Sequence, residues 1–138
     1  MLKPMNSAVV LAVAAMFVCG CGAASSETAP VRGKVTYKGK PVPNGTITFV
    51  PAVGPAATGE LQQDGSYELT TYRDGDGAVP GKHKVIVVAM RDMANLLPEQ
   101  RSPLPAPIVP EKYTSLATSD LEAQVEMKEN TVDFDLEE

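Results

Sequence analysis

Strict alternation of apolar and polar side chains marks the stretch Val31-Arg32-Gly33-Lys34-Val35-Thr36-Tyr37. A period of two residues is typical of a half-buried β-strand, because successive side chains of an extended chain point to opposite faces. The stretch therefore predicts a strand with its two valines and Tyr37 on the inner face. Turn residues fill 38–45, and the alternation then resumes over 46–50, which predicts a second strand.

A hairpin is predicted around Asp64-Gly65. A loop of three residues, 63–65, sets the apolar Leu61 opposite Tyr67 and places Gly65 at the left-handed position of the turn. A loop of two residues would set Leu61 opposite a glutamate, so the longer loop is the better prediction.

A second hairpin is predicted near the C-terminus, where alternation runs over 121–127 and again over 132–136. A two-residue loop at Glu129-Asn130 would pair Val125 with Phe134, and asparagine tolerates the positive φ of such a turn. We therefore expect these two segments to be neighbours in one sheet.

The segment 82–90 contains a continuous apolar run, which predicts an interior strand covered on both faces. In all, the sequence predicts about seven strands and neither a long helix nor a repeat. This pattern predicts an all-β fold, an antiparallel β-sandwich. The exception is 91–110, whose five prolines predict a functional or disordered connection. One helical turn is predicted at 92–97, and the apolar residues of 91–110 either dock a partner or cap an open end of the sandwich.

Residues 1–20 carry one charge, Lys3, and an apolar run from Ala8 to Val18. The run is much shorter than the ~20 residues that a membrane-spanning helix needs, so it predicts an export signal. The following Val18-Cys19-Gly20-Cys21 resembles the bacterial lipobox, which implies cleavage before Cys21 and acylation of its sulfur. A diacylglyceryl group supplies two acyl chains, and two chains are enough for stable anchoring in membrane lipid.

The predicted organisation is a lipoprotein signal peptide at 1–20, a flexible spacer at 21–30 and one domain at 31–138. Two alternatives stay open: cleavage after Ala24, which would release a secreted chain, and an uncleaved anchor. If Cys21 is acylated, the mature domain contains no thiol and no disulfide.

The composition supports one globular domain: of 138 residues, 43% are hydrophobic and 21% are charged. Twelve Lys and Arg against 17 Asp and Glu give a formal charge of −5. Since the basic residues are not clustered, nucleic acid is not an expected partner.

Several of these motifs together resemble the carboxypeptidase regulatory-like, transthyretin-like β-sandwich domain, namely Gly33-Lys34-Val35, 39–49 and 64–69. Further motifs look like a bacterial lipoprotein branch of that group, at 76–85, 110–113, 118–121 and 130–134. The resemblance covers 31–136 and implies an Ig-like or transthyretin-like sandwich with an accessory or binding role. The resemblance carries over no catalytic residue. Transthyretin-like folds include a hydrolase whose site relies on several histidines, and this chain departs from that pattern because His83 is its one histidine.

The loop Asp74-Gly75-Asp76-Gly77 carries alternate carboxylates, the oxygen ligands that Ca²⁺ prefers. Asp74 and Asp76 are therefore candidate calcium ligands. Ala78 and Val85 stand where further ligands of the helix–loop–helix calcium pattern would be, so the alternative is a tight loop whose carboxylates accept local backbone N–H groups.

The chain shows no nucleophile motif, and His83 reads as an ordinary strand-entry residue, so no enzyme is expected. Tyr72 and Tyr113 stay open as residues that could stack on sugars. The sequence predicts a non-enzymatic structural or interaction module of the bacterial cell envelope, facing the periplasm or the surface. Its expected partners are membrane lipid, through Cys21, and an envelope protein or polysaccharide. A carbohydrate- or calcium-binding module and, further off, a hydrolase are the alternatives.

Overall fold

The computed structural model describes residues 27–91, 96–100 and 107–138. In these ranges the chain forms the strands β1 Val31–Tyr37, β2 Lys40–Pro41, β3 Gly45–Pro51, β4 Ala57–Glu60, β5 Ser66–Glu68, β6 Gly81–Ala89, β7 Glu122–Val125, β8 Asn130–Thr131 and β9 Phe134–Leu136. Two short 3-10 turns lie at Pro98–Gln100 and Glu111–Thr114. None of the helical segments in the described ranges has the length and apolarity to cross a bilayer. The helical turn predicted at 92–97 lies mostly outside them.

One sheet has the strand order β4-β3-β6-β7 and is antiparallel throughout. Its strand β6 is interior, as predicted, because β3 and β7 bond its two edges. The prediction that both faces of β6 are covered is wrong: Val85 and Val87 are buried, whereas Ile86 and Val88 on the outer face are only half-buried. Ile86 and Val88 are apolar although they lie on the outer face, because other parts of the chain partly cover that face.

The second sheet is built around β1, with β2 and β5 antiparallel on one edge and β8 and β9 parallel on the other. The all-β prediction is confirmed. The expectation of wholly antiparallel pairing is wrong for β8 and β9, because both run in the direction of β1. The described ranges hold nine strands, not about seven, because two of them, β2 and β8, are pairings of only two residues each.

The inner faces of the two sheets meet in an aromatic cluster around Phe49 of β3. Its ring centroid lies 6.2 Å from that of Tyr67 in β5, 5.8 Å from His83 in β6 and 6.0 Å from Phe134 in β9. Because two of these rings come from the second sheet, Phe49 joins the layers. The inward positions predicted for β1 are confirmed for both valines, and Tyr37 is half-buried against the core.

The predicted hairpin around Gly65 has the predicted register. Gln62 N–H donates to the Ser66 carbonyl at 2.8 Å, Thr58 and Thr70 form an antiparallel bridge, and Gly65 has φ 79°. Its two arms nevertheless join different sheets, because β4 pairs with β3 and β5 pairs with β1. The hairpin therefore closes one side of the sandwich.

The predicted C-terminal hairpin does not form, and the pairing of Val125 with Phe134 is wrong. β7 bonds β6 in one sheet, while β8 and β9 bond β1 in the other. Asn130 does not adopt a positive φ. Instead its buried side chain accepts Glu126 N–H at 3.0 Å and donates to the carbonyls of Glu126 and Lys128. These bonds fix a crossing between the sheets at 126–129.

The start of the domain lies before β1. Ala29 is 2% exposed, and it exchanges two backbone hydrogen bonds with Ala78, at 2.9 and 3.0 Å. The Pro30 carbonyl accepts the backbone N–H of Asn130 at 2.9 Å. The end of the predicted spacer at 21–30 is therefore held in the fold, and the part at 21–26 lies outside the described residues.

Strand directions place several loops together at the end of the sandwich where β1 begins. Pro51 pairs with His83 and Gly81 pairs with Val125, so the loops that follow β3 and β7 open at that end. We call this the entry end; it comprises the chain start at 27–30 and the loops 52–56, 69–80 and 126–129.

Candidate functional site

The loop predicted to hold calcium is organised around Asp76. Its Oδ1 accepts Thr71 N–H at 2.7 Å, and its Oδ2 accepts the N–H groups of Tyr72 at 2.9 Å and Arg73 at 3.0 Å. Partial desolvation raises the pKa of Asp76, but these three donors and the nearby Arg73 charge outweigh it, so the pKa lies below its ordinary value. The Asp76 carboxylate therefore shapes the loop.

Asp74 is exposed, and Gly75 and Gly77 on either side of Asp76 have positive φ. In the described ranges, no group of three or more His, Cys, Asp or Glu side chains is placed to hold a metal ion. The sequence left two interpretations of this loop open, a calcium site and a tight loop whose carboxylates accept local backbone N–H groups. Asp76 adopts the second arrangement. Calcium binding by Asp74 and Asp76 stays a prediction of the sequence.

Beside this loop lies an open polar groove of about 710 Å³. It is lined by three threonines, three acidic residues, a glutamine and two glycines: Thr46, Thr58, Thr70, Glu60, Glu68, Asp74, Gln62, Gly59 and Gly75. Hydroxyl, carboxylate and amide groups can all hydrogen-bond the hydroxyls of a sugar. The groove is thus suited to a hydroxylated ligand.

Strand register brings the groove residues together. Thr46 of β3 lies opposite Glu60 of β4, on the outer face of that sheet. Thr58 of β4 bridges to Thr70, which follows β5 of the other sheet. The sequence pattern did not predict this groove: the hairpin register sets Thr58 opposite Thr70, but Thr46 joins them only through the pairing of β3 with β4.

One carboxylate of the groove is partly neutralised from outside it. The Arg32 guanidinium lies 3.6 Å from Glu68 Oε1 and 3.7 Å from Glu129 Oε1. All three side chains are about half exposed or more, so each pair contributes less than about 1 kcal/mol to stability. Because Arg32 partly neutralises Glu68, the acidic character of the groove comes mainly from the carboxylates of Glu60 and Asp74.

His83 lies in the third position of β6 and is fully buried. A carbonyl only accepts hydrogen bonds, so its Nε2 must carry the proton that it donates to the Val79 carbonyl at 2.7 Å. Its Nδ1 has no hydrogen-bond partner among the residues that the structure describes. The position agrees with a strand-entry residue that packs in the core.

The tyrosines divide between core and surface. Tyr67 and Tyr113 are each 3% exposed, whereas Tyr72 is 46% exposed. Tyr113, left open by the sequence, donates its hydroxyl to the Glu137 carbonyl at 2.9 Å and belongs to the core. Tyr72 is therefore the tyrosine whose ring is most available to solvent.

Tyr67 ties the two edges of β1 together. Its hydroxyl donates to the Val132 carbonyl, which approaches Gly33 so closely that a β-carbon there would overlap the oxygen. Burial, which is the larger cause, and the negative charge of Asp133 both raise the pKa of Tyr67. The hydroxyl therefore stays protonated as a donor.

The described part of the Pro-rich segment covers the core. Val109 is 2% exposed, and the N–H of its neighbour Ile108 donates to the Ala89 carbonyl at 2.9 Å. Of the two predicted roles of these apolar residues, capping the sandwich is confirmed for Ile108 and Val109. Residues 92–95 and 101–106 lie outside the described ranges, as does Cys21.

None of the protein-family models, characterised proteins and solved structures compared with this chain matches it.

Proposed function

We propose that the protein is a lipid-anchored β-sandwich of the bacterial cell envelope that acts, without catalysis, as an interaction module. The observation that carries the proposal is the lipobox-like Val18-Cys19-Gly20-Cys21 after an apolar run. Ala29, only eight residues after Cys21, is already paired within the fold. A folded domain would therefore lie a short connection away from an acylated Cys21.

We further propose that the sandwich is of the Ig-like or transthyretin-like type, as a carboxypeptidase regulatory-like domain would be. Two motif glycines support this assignment. Gly33 allows the close approach of the Val132 carbonyl, and Gly65 supplies the positive φ of the hairpin turn. Both are positions where a side chain would disturb the backbone.

A non-catalytic role is supported by how the reactive side chains are used. His83 donates within the core, and the Ser119 hydroxyl, 4% exposed, donates to the Val85 carbonyl. The Asp133 carboxylate accepts the backbone N–H of Lys34 at 2.8 Å. Each of these groups is engaged in a hydrogen bond to the backbone, which supports a structural use of these side chains.

Mass spectrometry of the mature chain from bacterial membranes tests the anchor. The expected product begins at Cys21 and carries the added mass of its acyl groups. Cys21→Ser should abolish the modification, whereas the matched Cys19→Ser should keep it, since Cys19 leaves with the signal peptide. An unmodified chain that begins at Ser25 would refute the proposal.

The polar groove favours a second candidate function, binding of an envelope polysaccharide. Its outward threonines and carboxylates offer hydrogen bonds to sugar hydroxyls. Titration calorimetry with soluble peptidoglycan fragments should then give heat that Thr58→Val and Thr70→Val reduce, while Thr114→Val, outside the groove, does not. A parallel titration with Ca²⁺ and Asp74→Asn tests the calcium alternative. A purely structural protein gives neither signal.

A further inference from the structure

Three exposed apolar side chains lie at the entry end of the sandwich. Val53 is 88% exposed, Met127 is 58% exposed and Tyr72 is 46% exposed. They make up half of the six large apolar side chains that are exposed within the described ranges. Each comes from a different loop, so no single turn accounts for their common position.

The strand pairing places these three side chains at the same end as the start of the domain. Val53 follows the end of β3, and Met127 follows the end of β7, both of which open at the entry end. Tyr72 lies between β5 and Ala78, and Ala78 is paired with Ala29. The chain therefore enters the fold among these loops.

The distance along the chain to Cys21 limits what this end can face. Eight Cα–Cα steps separate Cys21 from Ala29, and they span at most about 28 Å when fully extended. An acylated Cys21 would keep the entry end next to the bilayer. The tether makes any contact with lipid intramolecular, so weak apolar contacts are enough to hold it.

We propose that the entry end docks on the lipid surface, with Val53, Tyr72 and Met127 at the boundary between headgroups and acyl chains; this inference rests on the proposed lipid anchor. Tyrosine suits that boundary, because its ring is apolar and its hydroxyl stays hydrated. Docking fixes the domain so that the loops at the far end point away from the membrane.

The charges at the entry end indicate that apolar contact drives the docking. Lys128 is paired with Glu126, and Arg32 lies 3.7 Å from Glu129. Glu27, Asp74 and Asp76 add negative charge, and Arg73 adds positive charge. The surplus is acidic and would not attract anionic lipid. Added salt should therefore not weaken docking, whereas it weakens adsorption through basic residues.

Site-specific fluorescence on the full chain tests the docking. Once Cys21 is acylated the mature chain has no other thiol, so one introduced cysteine takes a small fluorophore. Val53→Cys and Met127→Cys report the entry end, and Gln63→Cys reports the exposed hairpin at the far end. Each acylated chain is reconstituted into vesicles of phosphatidylethanolamine and phosphatidylglycerol that contain lipid-borne nitroxide quenchers.

We expect several-fold stronger quenching at positions 53 and 127 than at 63, and no loss of that quenching when salt is added. Adding Val53→Asp should lower the quenching at position 127, since a charge at the boundary opposes docking. Equal quenching at all three positions of an acylated, vesicle-bound chain would overturn the docking inference but leave the anchor intact. A chain without acyl mass that stays off the membrane would refute the anchor, and the docking inference would fall with it.

Discussion

Replacing Asn130 by alanine tests how the chain crosses from one sheet to the other. The Asn130 side chain, on a residue 7% exposed, accepts Glu126 N–H at 3.0 Å. It also donates to the carbonyls of Glu126 at 2.9 Å, Lys128 at 2.6 Å and Pro30 at 3.3 Å. Alanine would remove all four bonds. The Glu126 N–H and the Lys128 carbonyl would then have to find water or stay unpaired, whereas the carbonyls of Glu126 and Pro30 keep the backbone N–H groups of Lys128 and residue 130.

The expected cost follows from these bonds. Each of the three shorter ones contributes about 1 kcal/mol net, so Asn130→Ala should lower the free energy of unfolding by about 3 kcal/mol. With a urea dependence of about 1.5 kcal/mol per molar, the unfolding midpoint should fall by about 2 M. Asn130→Asp should cost more near neutral pH, because its carboxylate would face three carbonyl oxygens and could not donate to them.

Urea unfolding followed by circular dichroism, on the chain without residues 1–21, measures both variants. The control is Glu129→Ala in the same crossing, because the Glu129 side chain is 71% exposed and its loss should change stability by less than about 0.5 kcal/mol. The gap between Asn130→Asp and Asn130→Ala should narrow as acid protonates the new carboxyl group. A midpoint for Asn130→Ala equal to that of the control would refute the role given to Asn130.

Three further variants test the contacts around β1 and the Asp76 loop. Gly33→Ala should cost about 3 kcal/mol in urea unfolding, since its β-carbon would overlap the Val132 carbonyl oxygen. Tyr67→Phe should cost about 1 kcal/mol. Because the pKa of Tyr67 is raised in the fold, the wild type should also lose stability as pH rises above the ordinary tyrosine value of about 10, and Tyr67→Phe should reduce that slope. Asp76→Asn should cost about 1 kcal/mol at neutral pH. The lowered pKa of Asp76 stabilises the fold above the ordinary aspartate value of about 3.9 and less as pH falls below it, so this variant should show a weaker acid-side loss; equal pH profiles for variant and wild type would contradict the assignment.

The strands themselves were predictable because their burial follows the period of two. Val31 and Val35 face the core as the alternation indicates, and the register of the Gly65 hairpin follows from its loop length. Local information is enough in both cases: the pattern fixes which face is buried, and the turn fixes the pairing.

The C-terminal pairing was not predictable from the same kind of pattern. Alternation over 121–127 and 132–136 states that each segment has a buried face, but a sandwich offers two sheets whose inner faces are equally apolar. The choice between them depends on Asn130 and on the Pro30 carbonyl, one hundred residues apart in the chain. The polar groove was not predictable either, because Thr46 comes beside Thr58 only once β3 has paired with β4.

The place where the chain enters the fold determines how a tether would load the domain. Ala29 is bonded to Ala78, and Pro30 to Asn130, directly before β1. β1 is bonded on both edges, to β2 and β5 on one side and to β8 and β9 on the other. A pull from an anchored Cys21 along β1 would therefore load the hydrogen bonds on both of its edges together, whereas a pull across a strand opens its hydrogen bonds one by one. A domain attached in this way can stay folded at the end of a short tether.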